Sequence, residues 1–183
     1  MGKLIIPQPN EREKAAFETV NLTMIESISE EDFLREIVLY LDDHNVLHLA
    51  TCRDNEPRCT PLEYFNNGLT VYIFSEGGGK IANLKANPRV SYGIADPYDP
   101  ARDFFGSSGL QVWGTASVFK KNDDPDRFNR IRSYARTTQA LQDQGLDEAA
   151  GSYNFNVIAI EPVKIRRLCY RKGLRNIIWK RDE

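Results

Sequence analysis

The sequence predicts a mainly β chain, an antiparallel barrel with helical caps. Three observations lead there. Short runs rich in β-branched, leucine and aromatic residues recur closely, as in "VLHLATC" (46–52), "LTVYIF" (69–74) and "LQVWGTASVF" (110–119). Tight-turn residues stand between the early runs, most clearly "NNG" at 66–68, which supplies left-handed backbone for a hairpin. Helical periodicity is confined to a few connections and does not alternate with every strand, which argues against a parallel sheet.

Taken in order, residues 1–26 are mostly polar with weak periodicity. They read as an N-terminal arm, partly helical around Glu11–Phe17, ahead of one domain over 27–183. The first well-signalled helix starts at "ISEEDF": Ser29 is the N-cap, and Ile28 and Phe33 can close a hydrophobic staple. Phe33, Ile37, Val38 and Leu41 mark its inner face, and it should end near Asp43. "VLHLATC" then passes through the turn "RDNEP" to a second strand, "RCTPLEYF" (58–65), with "NNG" leading on to "LTVYIF". After the glycines of "SEGGGK" comes a helix of about two turns, stopped by Asn87–Pro88. "RVSYGIAD" (89–96) returns as a strand. The stretch "PYDPARDFFGSSG" is a long loop of the kind that often covers a site. Beyond the strand at 110–119, "DDPDRFNRIRSYARTTQAL" reads as one helix with Pro125 in its first turn. "YNFNVIAIEPVKIRRLCY" makes one or two strands, and "RKG" turns the chain into "LRNIIWK".

With 183 residues, 41% hydrophobic and 27% charged, the chain is expected to bury one continuous core. Its apolar runs are too short to span a bilayer, and "MGKLIIPQPNEREK" turns polar too soon for a signal peptide, so no membrane partner is expected. Cys52, Cys59 and Cys169 form no C-x-x-C pair; reduced thiols in a cytoplasm fit best. A net charge of −2 predicts no general attraction to polyanions. From Lys164 to Arg181, however, there are eight Lys or Arg and no acid. No nucleic-acid motif accompanies them, which favours a basic hairpin serving a small anion or a subunit contact over a nucleic-acid surface. His44 and His48 lie four apart, but the helix is predicted to stop between them, so no metal site is expected.

The chemistry concentrates at "SEGGGKIANLKANPRV" (75–90). Gly77, Gly79 and Ala82 satisfy a dinucleotide-binding G-x-G-x-x-[GA] spacing, but tight hairpins precede them and the helix is half the usual crossover length. The Walker pattern fails outright, because Ile81 stands where Ser or Thr must reach magnesium. What survives is a helix start, Ser75 and the Lys80 ammonium around one volume, an arrangement suited to a phosphate monoester. Arg58 and Thr60 share a face of "RCTPLEYF" and can add a guanidinium fork and a hydroxyl. Gln111 and Trp113 share a face of "LQVWG", an amide beside an indole that suits the edge of a flat heterocycle.

Four ordered segments, "LATCRDNEPRCTPL", "SEGGGKIANLKANPRV", "GLQVWGTA" and "VIAIEPVKI", together resemble the pyridoxamine 5′-phosphate oxidase-like FMN-binding split-barrel family over roughly residues 30–170. The resemblance implies an antiparallel six-stranded split β-barrel with flanking helices, binding FMN at a homodimer interface. It implies that Arg58, Thr60, Ser75 and Lys80 hold the phosphate and ribityl chain, with Gly79 allowing close approach. It also implies that the backbone around Cys59, Pro61 and Phe74 lines the flavin, that Gln111 meets its polar edge and that Trp179 approaches it.

Departures from the family pattern narrow the function. Glu63 stands where the namesake oxidase has a substrate-phosphate lysine. The Tyr, Arg and Ser of its later helix become Phe128, Arg132 and Arg136. The haem-utilising branch needs a C-terminal histidine, and His44 and His48 are the chain's histidines. The expectation is an FMN-dependent oxidoreductase acting on a small molecule other than pyridoxamine phosphate, with Glu63 and Arg132 as substrate contacts and no assigned catalytic acid or base. The alternatives are a non-catalytic flavin carrier, store or redox sensor, or a binder of another phosphorylated cofactor such as a deazaflavin.

Overall fold

The computed structural model of the chain describes residues 2–135 and 137–182. Its strands are β1 (Gly2–Ile5), β2 (Val46–Arg53), β3 (Glu56–Glu63), β4 (Phe65–Asn67), β5 (Thr70–Ser75), β6 (Arg89–Ala95), β7 (Ser108–Lys120), β8 (Asn156–Cys169) and β9 (Leu174–Arg181). The helices are α1 (Glu11–Thr19), α2 (Glu30–Asp42), α3 (Gly79–Ala86), α4 (Pro125–Arg132), α5 (Thr138–Asp143) and α6 (Asp147–Ser152). The strands form one antiparallel sheet in the order β1-β9-β8-β7-β6-β2-β3, and β5, carrying β4, also pairs with β8.

The long β8 divides the barrel. Its first part, Asn156 to Ile160, pairs with β5, and its second, from Lys164 onward, pairs with β9. Two strands thus share β8 in succession and the wall separates into two leaves. The change falls at a bulge: Trp113 of β7 faces Lys164 but Gly114 faces Pro162, leaving Val163 over. Proline lacks the N–H a ladder needs there. Gly114 lets the strands close, since a Cβ on it would lie 2.6 Å from the Glu161 carbonyl oxygen. The barrel stays open beyond β3, which among the described residues pairs with β2 alone.

The core lies between the sheet and α2. Ser29 caps α2, its hydroxyl accepting from the Asp32 amide at 3.0 Å, and Phe33, Ile37, Tyr40 and Leu41 are buried. They meet Leu47, Leu49, Val71, Ile73, Val112, Ile158, Ile160 and Ile165. Each such side chain contributes roughly 1.5–3 kcal/mol by leaving water.

Three expectations change at the level of elements. The 1–26 segment carries, besides the expected helix, a strand: β1 pairs with β9, Leu4 opposite Trp179 and Ile5 opposite Ile178. Helix α1 is closed by an Asn10–Glu13 capping box and seats Phe17 against Phe105 and Tyr170. The strand at 58–65 does not form the hairpin with 69–74. Buried Tyr64 donates its hydroxyl to the Leu41 carbonyl at 2.9 Å, ending β3, and short β4 takes the hairpin instead. The single helix predicted after Pro125 breaks at Ser133. There Tyr134 and Ala135 donate to Ile131 and Arg132 in tightened i−3 bonds, and a new helix begins at Thr138. Arg136 lies outside the described residues. No described helix is long and apolar enough to cross a membrane.

Candidate functional site

The site begins where β5 ends. Buried Asn156 on β8 donates its amide to the carbonyls of Ser75 (3.3 Å) and Glu76 (3.2 Å), clamping the chain as it leaves the sheet. Gly77 and Gly78 then take φ values of 148° and 93°, which residues with a Cβ rarely adopt, and the chain turns directly into α3. Two asparagines of α3 and its end fix the helix on the sheet. Asn83 donates to Thr51 Oγ1 at 3.1 Å, and Asn87 donates to the Cys52 carbonyl at 3.3 Å. Ile81 and Leu84 are buried beneath. The spacing "NLKAN" is therefore a fastening device that holds the α3 N-terminus beside β3.

At that N-terminus the predicted phosphate ligands stand in two groups, Arg58 with Thr60 beside Gly79, and Ser75 with Lys80 around Gly77. Arg58 Nε donates to Thr60 Oγ1 at 3.3 Å, and a Cβ on Gly79 would come within 3.0 Å of Arg58 Nη1. Lys80 Nζ donates to the Gly77 carbonyl at 3.0 Å, and the Gly77 amide donates to Ser75 Oγ at 3.2 Å. Residues Phe74–Gly78 and Lys80 line a cavity of about 480 Å³. Exposed Glu76 stands on its rim. Two cations, two hydroxyls and the first amides of an eight-residue helix, which no helical carbonyl can reach, suit a phosphate monoester. The residues present fit such a group.

Of the predicted flavin-lining residues, Phe74 lines this cavity and the others fall elsewhere. Ala50 faces both Cys59 and Ser91, and Gly93 faces both His48 and Gln111. Cys59 and Gln111 thus share the outer sheet face, in a shallow depression of about 530 Å³ that His48, Arg166 and Asn176 also line. Pro61, opposite His48, is on the same face. Strand alternation turns Arg58 and Thr60 to the other side of β3. Trp179 does not join either group: it is buried in the core and donates its indole N–H to Glu30 at 2.8 Å. The strand pairing of β9 with both β1 and β8 covers it.

A third cavity, about 550 Å³, gave no sequence signal beyond Glu63 and Phe74. It lies between the end of α2, the β3–β4 junction and the chain after α4, with Asp43, His44, Glu63, Phe65, Phe74 and Tyr134 in its wall. Phe74 borders this cavity and the glycine-loop cavity alike. Arg132 is half-buried on α4 and lines none of the three.

His44 is bound inside the fold. Its Nε2 lies 2.6 Å from Asp96 Oδ1 and its Nδ1 2.7 Å from the Tyr40 carbonyl. Burial alone would raise the Asp96 carboxyl, but hydrogen bonds from Ser108 and His44 outweigh it and hold the group below its ordinary value. Burial, then the Asp96 charge, pushes the Tyr40 hydroxyl up to about 12. Among the described residues, no His, Cys, Asp and Glu group could hold a metal ion.

Comparison with known proteins agrees with this fold. Residues 33–169 match the pyridoxamine 5′-phosphate oxidase family. A 52-residue stretch is 40% identical to an uncharacterised protein of Rhizobium meliloti (strain 1021), spanning 28% of this chain and 34% of that one. A conserved hypothetical protein of Mycobacterium tuberculosis superposes with a TM-score of 0.61 at 19% identity, over 82% of this chain and 91% of its own. A FAD-binding protein of Mesorhizobium loti superposes with a TM-score of 0.51 at 21% identity, over 85% and 96%.

Proposed function

The chain belongs to the pyridoxamine 5′-phosphate oxidase family, and from that premise we propose that it is an FMN-dependent oxidoreductase acting on a small molecule. The observation that carries this reading is the convergence of Arg58, Thr60, Ser75, Gly79 and Lys80 at the start of α3. Arg58 forks onto two phosphate oxygens, Lys80 adds a second charge, and Ser75 and the helix amides donate the rest. A flavin-binding neighbour on the same fold supports the cofactor class.

When bound, the isoalloxazine supplies the hydride or electron chemistry. The protein's part is to place it. Gln111 offers an amide to the ring's polar edge, and Cys59 and Pro61 give a flat, exposed strand surface beside it. Those groups and the pair Arg58 and Thr60 stand on opposite sides of β3, an open edge strand. A site of this kind is completed by a second copy of the chain, so the proposal includes a homodimer with FMN at the interface. Phe74 and Glu63 line the adjoining cavity, where the substrate sits. The Glu63 carboxylate repels a phosphorylated substrate, which separates this chain from the namesake activity.

The test is the purified protein itself. Its visible spectrum should show flavin bands, mass spectrometry of the released cofactor should give FMN, and NAD(P)H should bleach the bands with turnover on adding an acceptor. Release of a deazaflavin or no flavin would overturn the cofactor. Bands that no reductant bleaches would leave a flavin store in place of an enzyme.

A further inference from the structure

We propose that the outer face of the sheet carries a second anion site, a cross-strand row of lysines ended by an indole, that binds a nucleoside polyphosphate. It goes beyond the flavin reading and rests on Lys3, Lys180, Lys164 and Trp113, which line neither the glycine-loop cavity nor the depression beside Gln111.

The basic stretch at 164–181 sorts itself in the fold. Five of its eight cations face carboxylates: Arg167 and Lys172 meet Glu36, Arg171 meets Asp103, Arg175 meets Glu13 and Arg181 meets Glu161. Lys164, Arg166 and Lys180 have no acid partner among the described residues, and neither does Lys3. Register brings the three lysines together. Lys3 faces Lys180 across β1 and β9, Lys180 faces Lys164 across β9 and β8, and Lys164 faces Trp113 across β8 and β7. Directly opposed residues of antiparallel strands share a face, and neighbouring strands lie about 4.7–4.9 Å apart. Three lysines therefore stand side by side in one row on one face of the sheet. Arg166 projects beside them, its Nε donating to Asn176 Oδ1 at 2.9 Å.

Like charges placed directly opposite weaken a sheet, and here the row accumulates three. Glu161, the exposed carboxylate next along β8, is already engaged by Arg181 at 3.3 Å. An uncompensated local cost of this kind marks a functional surface. The ligand it suits carries several closely spaced negative charges, as a di- or triphosphate does. At the end of the row Lys164 Nζ lies 4.0 Å from the Trp113 ring centroid. A polyphosphate that draws Lys164 toward itself uncovers the indole, which then stacks a base. The row is too short, and the protein too acidic overall, for the extended phosphate track that nucleic acid needs.

Tryptophan fluorescence of the full-length protein decides it, since the other indole, Trp179, is buried. Titration with ATP at low salt should quench the emission saturably, and ATP should bind more tightly than inorganic tripolyphosphate. The double variant Lys164→Gln, Lys180→Gln should weaken ATP by about tenfold or more, the scale of losing two charge-assisted contacts. Trp113→Phe should remove the quench and, by calorimetry, weaken ATP while leaving tripolyphosphate unchanged. Lys80→Ala should leave ATP affinity unaltered, which separates this site from the flavin cradle. The proposal fails if millimolar ATP gives no saturable change or if the lysine variant binds as the parent does. It also fails if Lys80→Ala abolishes binding, if tripolyphosphate matches ATP, or if a single-stranded oligonucleotide binds more tightly than either.

Discussion

Lys80 and Arg58 illustrate how much a single position can carry. Neither is buried, yet each is aimed: Lys80 by its bond to the Gly77 carbonyl, Arg58 by Thr60 and by the bare edge of Gly79. Lys80→Ala should weaken FMN binding by about 1.5–3 kcal/mol, the scale of a lost charge-assisted hydrogen bond. A flavin-fluorescence titration with unchanged affinity would remove Lys80 from the site. Asp96 makes a prediction about pH. Its folded value is depressed, so its stabilising contribution is complete above the ordinary carboxylate value and disappears as pH falls through the lower, folded one. Thermal melts across that acid range should show a shallower decline for Asp96→Asn than for the parent, from a lower plateau at neutral pH. Parallel declines would show that the bonds from His44 and Ser108 do not discriminate the two charge states.

Among elements, α3 and the β7–β8 ladder decide where chemistry can happen. Helix α3 has no side-chain N-cap; glycines lead into it, and Asn83 and Asn87 fasten it to β2. Its N-terminus is therefore left open toward Arg58. On the ladder, Gly114 sits against the backbone of Glu161 at the bulge that parts the barrel. Gly114→Ala should destabilise the protein by about 1–3 kcal/mol, because a methyl there forces two paired strands apart. Urea unfolding would measure it, and a change below about 0.5 kcal/mol would mean the bulge yields easily. These element-level facts were partly legible beforehand. "NP" after two helical turns placed the end of α3 correctly, and Pro125 placed the start of α4. The break after Arg132 was not legible, since "RSYARTTQAL" contains neither proline nor glycine and its periodicity runs on. Nor was β1, because a four-residue edge strand is too short to show a period.

At the scale of the molecule, the open side of the barrel is the feature with the largest consequence. Among the described residues β3 ends the sheet with its outer hydrogen-bonding edge unpaired, and most of its residues are exposed. Arg58 and Thr60 lie on one side of it and Cys59, Pro61 and Gln111 on the other. Sedimentation of the flavin-loaded protein should give a dimer, with flavin released in parallel with dissociation on dilution. A monomer holding flavin at undiminished affinity would show that one copy builds the whole site.

Residue order alone determined the antiparallel strand set and the glycine turn that leads into α3, because each depends on near neighbours in the chain: turn residues, alternation, a helix start. It joined "RCTPLEYF" to "LTVYIF" across an "NNG" hairpin that short β4 takes instead. Tertiary structure decided what depends on distant residues arriving at one place. Trp179 was taken into the core by the strands on both its sides and by Glu30, the cavity beside Glu63 was assembled from three separate elements, and eight clustered cations were divided between carboxylates and an unpaired row. Local pattern specifies which groups a strand or helix presents, whereas long-range pairing sets what each of them meets.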